Sequence, residues 1–301
     1  MLARLHQATT LGALLLAALW GWLFWRAGHT GWALAGALLV VGGYALVLAL
    51  EFALLRLAHG DDPATPPSAG QLLRAWWGEV RSAPTVFCWR QPFFSQRWPD
   101  LLPAAQGQRG VLLVHGFVCN RGLWNPWLVR LREAGVPVIA VNLEPVFGAI
   151  DDYVVPLGQA IEALHCATGL APVVVAHSMG GLALRRWWAE QRDESRVHHA
   201  ITMGTPHHGT WLARFALTRN SRQMRRFSPW LRDLRAREPA GRAAHFTCFY
   251  SHCDNIVFPA SMATLDGADN RHLPGVAHVQ MADRPEPWAE LQRWLGPTAS
   301  K

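Results

Sequence analysis

The chain is almost without lysine. Lys301 is the only one, so a formal net charge of +7 over 301 residues comes almost wholly from arginine. A basic balance suits nucleic acid or an anionic membrane surface. No RRM-like, zinc-finger or helix-turn-helix pattern is present, which speaks against nucleic acid and leaves membrane proximity as the simpler explanation. Cysteine is also scarce. Cys88, Cys119, Cys166, Cys248 and Cys253 are an odd number without metal-ligand spacing, which argues against a disulfide framework. Only Cys248 and Cys253 lie close in sequence, and five positions along a strand turn them to opposite faces. Reduced thiols are therefore expected, and they fit a cytoplasmic setting. There is no H-E-x-x-H and no clustered Cys/His, so no required metal and no cofactor are expected, although His207 and His208 are adjacent. No internal repeat is visible.

Charge is missing altogether between Thr9 and Trp25, a run about long enough to cross a bilayer core. A second apolar run, Gly31 to Leu55, is interrupted only by Tyr44 and Glu51. Two spans, 9–25 and 31–55, joined by Arg26 to Thr30, predict a transmembrane hairpin over residues 1–58. Trp20, Trp22, Trp25 and Trp32 fall where an interfacial aromatic belt sits. The competing reading of the first run is a cleaved signal peptide, but no small-residue cleavage site precedes the second run. Residues 59–70, rich in Pro, Gly and Asp, read as a linker. Residues 71–301 are long enough for one large domain with its own core. Arg4 and the α-amino group precede the first span, Arg26 alone lies between the spans, and Arg56 and Arg74 follow the second. Positive charge thus favours both ends inside, with the large domain on the cytoplasmic face of a bacterial inner membrane.

Within that domain, Pro172-Val173-Val174-Val175 reads as a buried strand and Leu182 to Glu190 as a helix. Between them lies Ala176-His177-Ser178-Met179-Gly180-Gly181. A strand, a sharp turn carrying Ser and a helix make a nucleophile elbow, which needs small residues two before and two after the serine. Gly180 meets that need, and Ala176 departs from the usual Gly by one methyl group. From Gly110 onward strands and helices alternate, the pattern of a mostly parallel α/β sheet covered on both faces. Expected strands lie at 110–114, 136–141, 172–175, 197–203 and 247–251, with helices at 125–134, 151–168 and 287–295. Upstream, 71–80 reads as a short helix, with Trp76 and Trp77 as contacts to the domain or the membrane interface. Thr85-Val86-Phe87-Cys88-Trp89 reads as an early strand.

Four further segments complete a resemblance. Gly110-Val111-Leu112-Leu113-Val114-His115-Gly116-Phe117 runs a strand into a His-Gly turn. Met203-Gly204-Thr205-Pro206-His207-His208-Gly209-Thr210 looks like the G-T-P-H-x-G-T segment of lipases. Tyr250 to Pro259 looks like the end of an acid-bearing strand, and Gly275-Val276-Ala277-His278-Val279 like a histidine loop. From about Gly110 to Trp294 the chain resembles an α/β-hydrolase, and within that superfamily a bacterial lipase or esterase. The resemblance implies the α/β-hydrolase fold and a triad in the order Ser178, Asp254, His278. It also implies an oxyanion hole from the backbone N–H groups of Phe117 and Met179. His252, His272, Asp266 and Asp269 lie in the same C-terminal part and periodicity does not choose among them; the family pattern favours Asp254 and His278. His115, His177, His207 and His208 read as hydrogen-bonded structural histidines.

Between 211 and 240 the alternation stops. Arg214, Arg219, Arg222, Arg225, Arg226, Arg232, Arg235 and Arg237 are interleaved with Phe215, Met224, Phe227, Trp230, Leu231 and Leu234. In a hydrolase such an insert resembles a cap or lid. Its apolar face, with Phe227 and Trp230, would line an acyl pocket while the arginines meet anionic lipid; equally, it reads as a solvated helical pair packed on the core. These features together predict a membrane-anchored serine esterase or lipase acting on lipid-like or other apolar esters. Alternatives are an acyltransferase or thioesterase using the same triad, or a non-catalytic membrane scaffold.

Overall fold

The computed structural model describes residues 1–103, 105–191 and 193–296. Its centre is a six-stranded sheet in the order β2-β1-β3-β4-β5-β6. The strands are β1 (Val111–Val114), β2 (Val138–Ala140), β3 (Val173–His177), β4 (His199–Met203), β5 (Phe246–Tyr250) and β6 (Asp269–His272). Every pairing is parallel, with Val114 opposite Ala176 and His177 opposite Met203. Parallel strands need crossovers that cover both faces, which is why β1 and residues 173–176 of β3 are unbroken apolar runs. Side chains alternate across the pleat. Val174 and Ala176 accordingly join Leu157, Ile161 and Leu182 on one face, while Val173 and Val175 join Leu128 and Leu291 on the other.

The helices that cover those faces are α6 (Asn125–Glu133), α7 (Val154–Thr168), α8 (Met179–Trp188) and α11 (Pro285–Leu295). Upstream lie α1 (Leu2–Arg26), α2 (Thr30–Gly42), α3 (Tyr44–Leu57), α4 (Ala69–Pro84) and the short α5 (Gln91–Phe93). The insert between β4 and β5 holds a 3-10 turn at Trp211–Phe215, then α9 (Arg219–Gln223) and α10 (Pro229–Arg237). Leu231 and Leu234 are buried on the underlying core, whereas Phe215 and Leu217 are exposed.

The structure departs from the sequence reading at three places. Thr85–Trp89 is not a strand: α4 runs without a break into a π-helical turn, Thr85–Arg90, and on into α5. That path buries Val86 completely and sets Phe87 edge-on against His6, with ring centroids 5.8 Å apart. Packing here overrides the β preference of Thr, Val and Phe. The strand β6, unforeseen, is polar and mostly exposed because it is the edge of the sheet. The second apolar run, finally, is not one straight helix. It is α2 and α3, bent by 53° at a break between them, where Gly42 and Gly43 adjoin, the kind of position where helices kink.

By length and composition α1 can cross a membrane, and α2 with α3 can if the bent pair is one span. Trp20 of α1 donates its indole N–H to the carbonyl of Trp32 at 2.8 Å, fastening α1 to α2. Many of their apolar side chains, among them Leu15, Leu19, Trp25, Trp32 and Leu38, face outward. The far end of α3 behaves differently. Phe52 and Leu55 are buried and cluster with Ala75, Cys253 and Ala277. The 59–70 segment is also docked, since Asp62 accepts hydrogen bonds from the backbone and hydroxyl of Ser261.

Candidate active site

Three loops at the carboxyl edge of the sheet carry the site. Strand β3 ends at His177, and Ser178 takes φ 54° and ψ −128° before α8 begins. A positive φ in a residue other than glycine costs on the order of 1–3 kcal/mol and persists only where the surroundings impose it. They do so here through three hydrogen bonds. The Ser178 N–H donates to Met203 O at 2.8 Å, while Ser178 O accepts from Gly181 N–H at 3.1 Å and from Thr205 Oγ1 at 2.9 Å. A Cβ on Gly180 would lie 2.6 Å from His115 O and 2.7 Å from Val114 O, so no side chain fits there. Ala176, fully buried beside Val114, finds room for its extra methyl.

The loop after β5 brings Asp254, which is completely buried, to His278. His278 Nδ1 stands 2.9 Å from Asp254 Oδ2, and Asp254 Oδ1 accepts the N–H groups of Ile256 at 2.9 Å and Val257 at 2.8 Å. With Nδ1–H donated to the carboxylate, Nε2 keeps the lone pair that a general base needs. Burial disfavours the imidazolium, but the charge of Asp254, its hydrogen bond, and the charges of Glu79 and Glu51 outweigh it, holding the His278 pKa above the usual imidazole value. Gly204, at φ 56°, lies against this pair, and a Cβ on it would be 2.9 Å from Asp254 Oδ2 and 3.0 Å from His278 Nδ1.

The other candidates separate. Asp266 pairs with Arg235 at 2.8 Å and Asp269 with Arg271 at 2.6 Å, both at the surface. His252 and His272 face each other edge to face, 4.5 Å between centroids. His177 approaches His278 from behind, its Nε2 3.0 Å from His278 O, and burial drives its pKa to about 3. His115 accepts Leu143 N–H on Nε2 at 3.0 Å and contacts Gly116 O through Nδ1 at 2.9 Å. Burial takes its pKa to about 4, so it is a neutral structural group. Among the described residues no group of three or more His, Cys, Asp or Glu is placed to hold a metal ion.

Phe117 follows the His115–Gly116 turn, and the next residue, Val118, has φ 52°. A β-branched residue there is a genuine outlier. A second strained residue thus lies in a loop at this edge of the sheet. Met179 is the first residue of α8, where backbone N–H groups lack helical partners and the dipole is positive. Thr205, which fixes the Ser178 carbonyl, went unremarked among the sequence candidates. Its only signal is its place in the Gly204-Thr205-Pro206 segment.

The insert residues lie elsewhere. Phe227, 51% exposed, lines a cavity of about 280 Å³ together with Arg185, His207, Leu231, Arg232 and Arg242, and none of the triad residues lines it. Trp230 is partly buried and donates its indole N–H to Asp151 Oδ2 at 2.9 Å, which gives it a packing role on the α7 side.

No curated protein matches the chain. Among solved structures it is similar to a Bacillus licheniformis lipase, BlEst2, in mature form. That likeness has a TM-score of 0.56 at 16% identity and covers 66% of this chain and 96% of that one. It is also similar to Aspergillus fumigatus lipase B, with a TM-score of 0.54 at 24% identity, covering 61% of this chain and 51% of that one. At these identities the likeness carries the fold alone. A family profile, alpha/beta hydrolase family, matches residues 111–296. That range holds all six strands and all three loops just described, and the chain belongs to the alpha/beta hydrolase family.

Proposed function

We propose that this chain is a membrane-anchored serine carboxylic-ester hydrolase for lipid-like or other apolar esters. The observation that carries the reading is Ser178 at φ 54° on an elbow whose neighbouring loop presents the 2.9 Å Asp254–His278 pair. Nothing in folding alone requires a strained serine and a buried His-carboxylate pair at one edge of a sheet, and strain of this kind clusters at active sites.

In the proposed mechanism His278 Nε2 takes the Ser178 hydroxyl proton as Oγ attacks the ester carbonyl. Asp254 holds the ring and stabilises the imidazolium. The N–H groups of Phe117 and Met179 receive the developing oxyanion. Collapse of the tetrahedral intermediate expels the alcohol, which takes the proton from His278, and leaves an acyl-Ser178. Water, deprotonated by His278, then releases the acid and restores the serine.

Residues 1–58 are read as the membrane anchor, 59–70 as its connection, and 71–301 as the hydrolase domain with the insert 211–240 acting as a cap. The outward apolar side chains of α1 and α2 support the anchor. The arginine count around the spans supports a cytoplasmic placement. An active C-terminal alkaline phosphatase fusion beside a dark fluorescent-protein fusion would reverse that placement. The chemistry is tested by labelling purified full-length protein with a fluorophosphonate and by hydrolysis of p-nitrophenyl esters. Wild type should label and turn over while Ser178→Ala does neither; an unlabelled, inert wild type would sink the reading.

A further inference from the structure

Two carboxylates from the N-terminal helices bear on the backbone of the histidine loop, Glu79 directly and Glu51 through Asn255. Glu79 of α4 is 1% exposed. Its Oε1 accepts Val279 N–H at 3.0 Å and its Oε2 accepts Gln280 N–H at 3.2 Å. These are the first two N–H groups of the 3-10 turn Val279–Asp283, for which His278 is the N-cap residue, so no helical carbonyl is available to them. From the other side, the N–H of His278 donates to Asn255 Oδ1 at 3.2 Å, and Asn255 Nδ2 donates to Glu51 Oε2 of α3 at 2.6 Å. Asn255 is fully buried, beside Asp254 in the chain. Side chains therefore hold three consecutive N–H groups, 278 to 280, and both routes end on a carboxylate outside the 111–296 range.

Burying a carboxylate is costly unless something is gained, and a hydrophobic residue would let α4 pack as well. Burial raises the Glu79 pKa to about 7, against the pull of the two N–H groups and of His278. A buried acid beside a candidate base is more than packing requires. We propose that α3 and α4 belong to the catalytic unit: Glu79 directly, and Glu51 through Asn255, are positioning residues that fix the backbone at 278–280 and so aim the His278 ring. This rests on reading Ser178, Asp254 and His278 as the triad. The ionisable groups facing Glu79 are His278 and Asp254, and those facing His278 are Asp254, Glu79, Glu51 and His177. Removing the charge of Glu79 therefore lowers the His278 pKa.

The test uses full-length protein in detergent micelles, reading kcat, KM and the acid limb of kcat/KM on a p-nitrophenyl ester, with circular dichroism as the check on folding. Glu79→Gln offers one acceptor where two are needed and carries no charge. It should lower kcat by about tenfold or more with KM within about twofold, and move the acid limb to lower pH. Glu51→Ala should lower kcat by about three- to tenfold, and Glu51→Gln, whose amide oxygen still accepts from Asn255, should restore most of it. A Glu79→Gln protein with an unmoved acid limb, or a loss of activity that merely follows the folded fraction, overturns the assignment. Should that variant not fold, Glu51→Ala with wild-type kcat does the same. An inert wild type defeats the reading of the site and this proposal with it, whereas an active wild type with indifferent variants defeats only the proposal.

Discussion

The serine side and the histidine side of the site are built in opposite ways. Ser178 is held by its own neighbourhood: β3 before it, α8 after it, and the ends of β1 and β4 on either flank. The residues responsible are Gly180 and Gly181 in the turn, Val114 and His115 at the end of β1, and Met203 and Thr205 at the end of β4. His278 is held from afar, by Asp254 after β5, by His177 from β3, and by side chains of α3 and α4 some two hundred positions upstream, as with Val279 and Glu79 at a separation of 200. A nucleophile under backbone strain can be specified by one turn and the strand ends packed against it. A base cannot, because its pKa and its aim are set by whatever surrounds the ring.

The largest effects should come from Ser178, His278 and Asp254 themselves. Ser178→Ala is expected to cost about 10⁴- to 10⁶-fold in kcat with the fold retained, and His278→Ala a similar amount. Asp254→Asn should lose about 10⁴-fold. Equal hydrolysis by Asp254→Asn and wild type, with a loss in Asp266→Asn or Asp269→Asn instead, would move the acid to another residue. Next in size is Gly204→Ala, which tests whether the two halves are joined. Its Cβ would press on both Asp254 Oδ2 and His278 Nδ1 at an unfavourable φ, so kcat should fall by about 10- to 100-fold. An active Gly204→Ala protein would mean that the two loops adjust independently.

The pH profile sharpens the contrast further. As the proposed base, His278 must be neutral to accept a proton, and its pKa is raised by Asp254 against the effect of burial. Activity should therefore rise with pH through a midpoint above the ordinary histidine value of about 6.5 and be lost as pH falls below it. A midpoint lower than that value would show that burial wins over the carboxylate. The smallest effect is expected from the insert. Replacing Phe227 and Trp230 together by Ser should reduce hydrolysis of long-chain esters a few-fold more than that of acetate esters if the insert forms a cap over an acyl chain, at roughly 25 cal/mol per Å² of lost apolar contact. Equal losses on both would leave Trp230 as a packing residue tied to Asp151 and Phe227 as a wall of the arginine-lined cavity.

What the sequence disclosed follows the same division. The strands β1 and β3 were legible because burial on both faces fills them with apolar residues up to His177, the last residue of β3. The elbow was legible because close backbone approach demands Gly180. Asp254 and His278 were visible only through their resemblance to a family pattern, since Asp266, Asp269, His252 and His272 have the same chemistry nearby. Glu79 was not visible at all, because a glutamate in an amphipathic helix looks like any solvent-facing one until its two N–H partners arrive from the far end of the chain. The helical path of 85–90 was hidden for a related reason: what decides it is the burial of Val86 in the core with Leu123 and Trp124, and local preference points the other way. The polar edge strand β6 has no hydrophobic alternation to announce it. The bend between α2 and α3 lay inside a run whose hydropathy is continuous across it.

That bend makes α3 a lever. From Gly43 to Glu51, midway along the helix, the distance is about 12 Å at roughly 1.5 Å per residue, and Glu51 grips Asn255 across 2.6 Å. A swing of about 10° at the pivot displaces Glu51 by about 2 Å, enough to part that contact. If α1 to α3 sit in a bilayer, a change in its thickness alters their tilt, and the motion ends at the backbone of His278. A membrane-thickness series, with kcat read in vesicles of short and long acyl chains, would show the lever at work as a rate that depends on the host lipid even for a soluble ester.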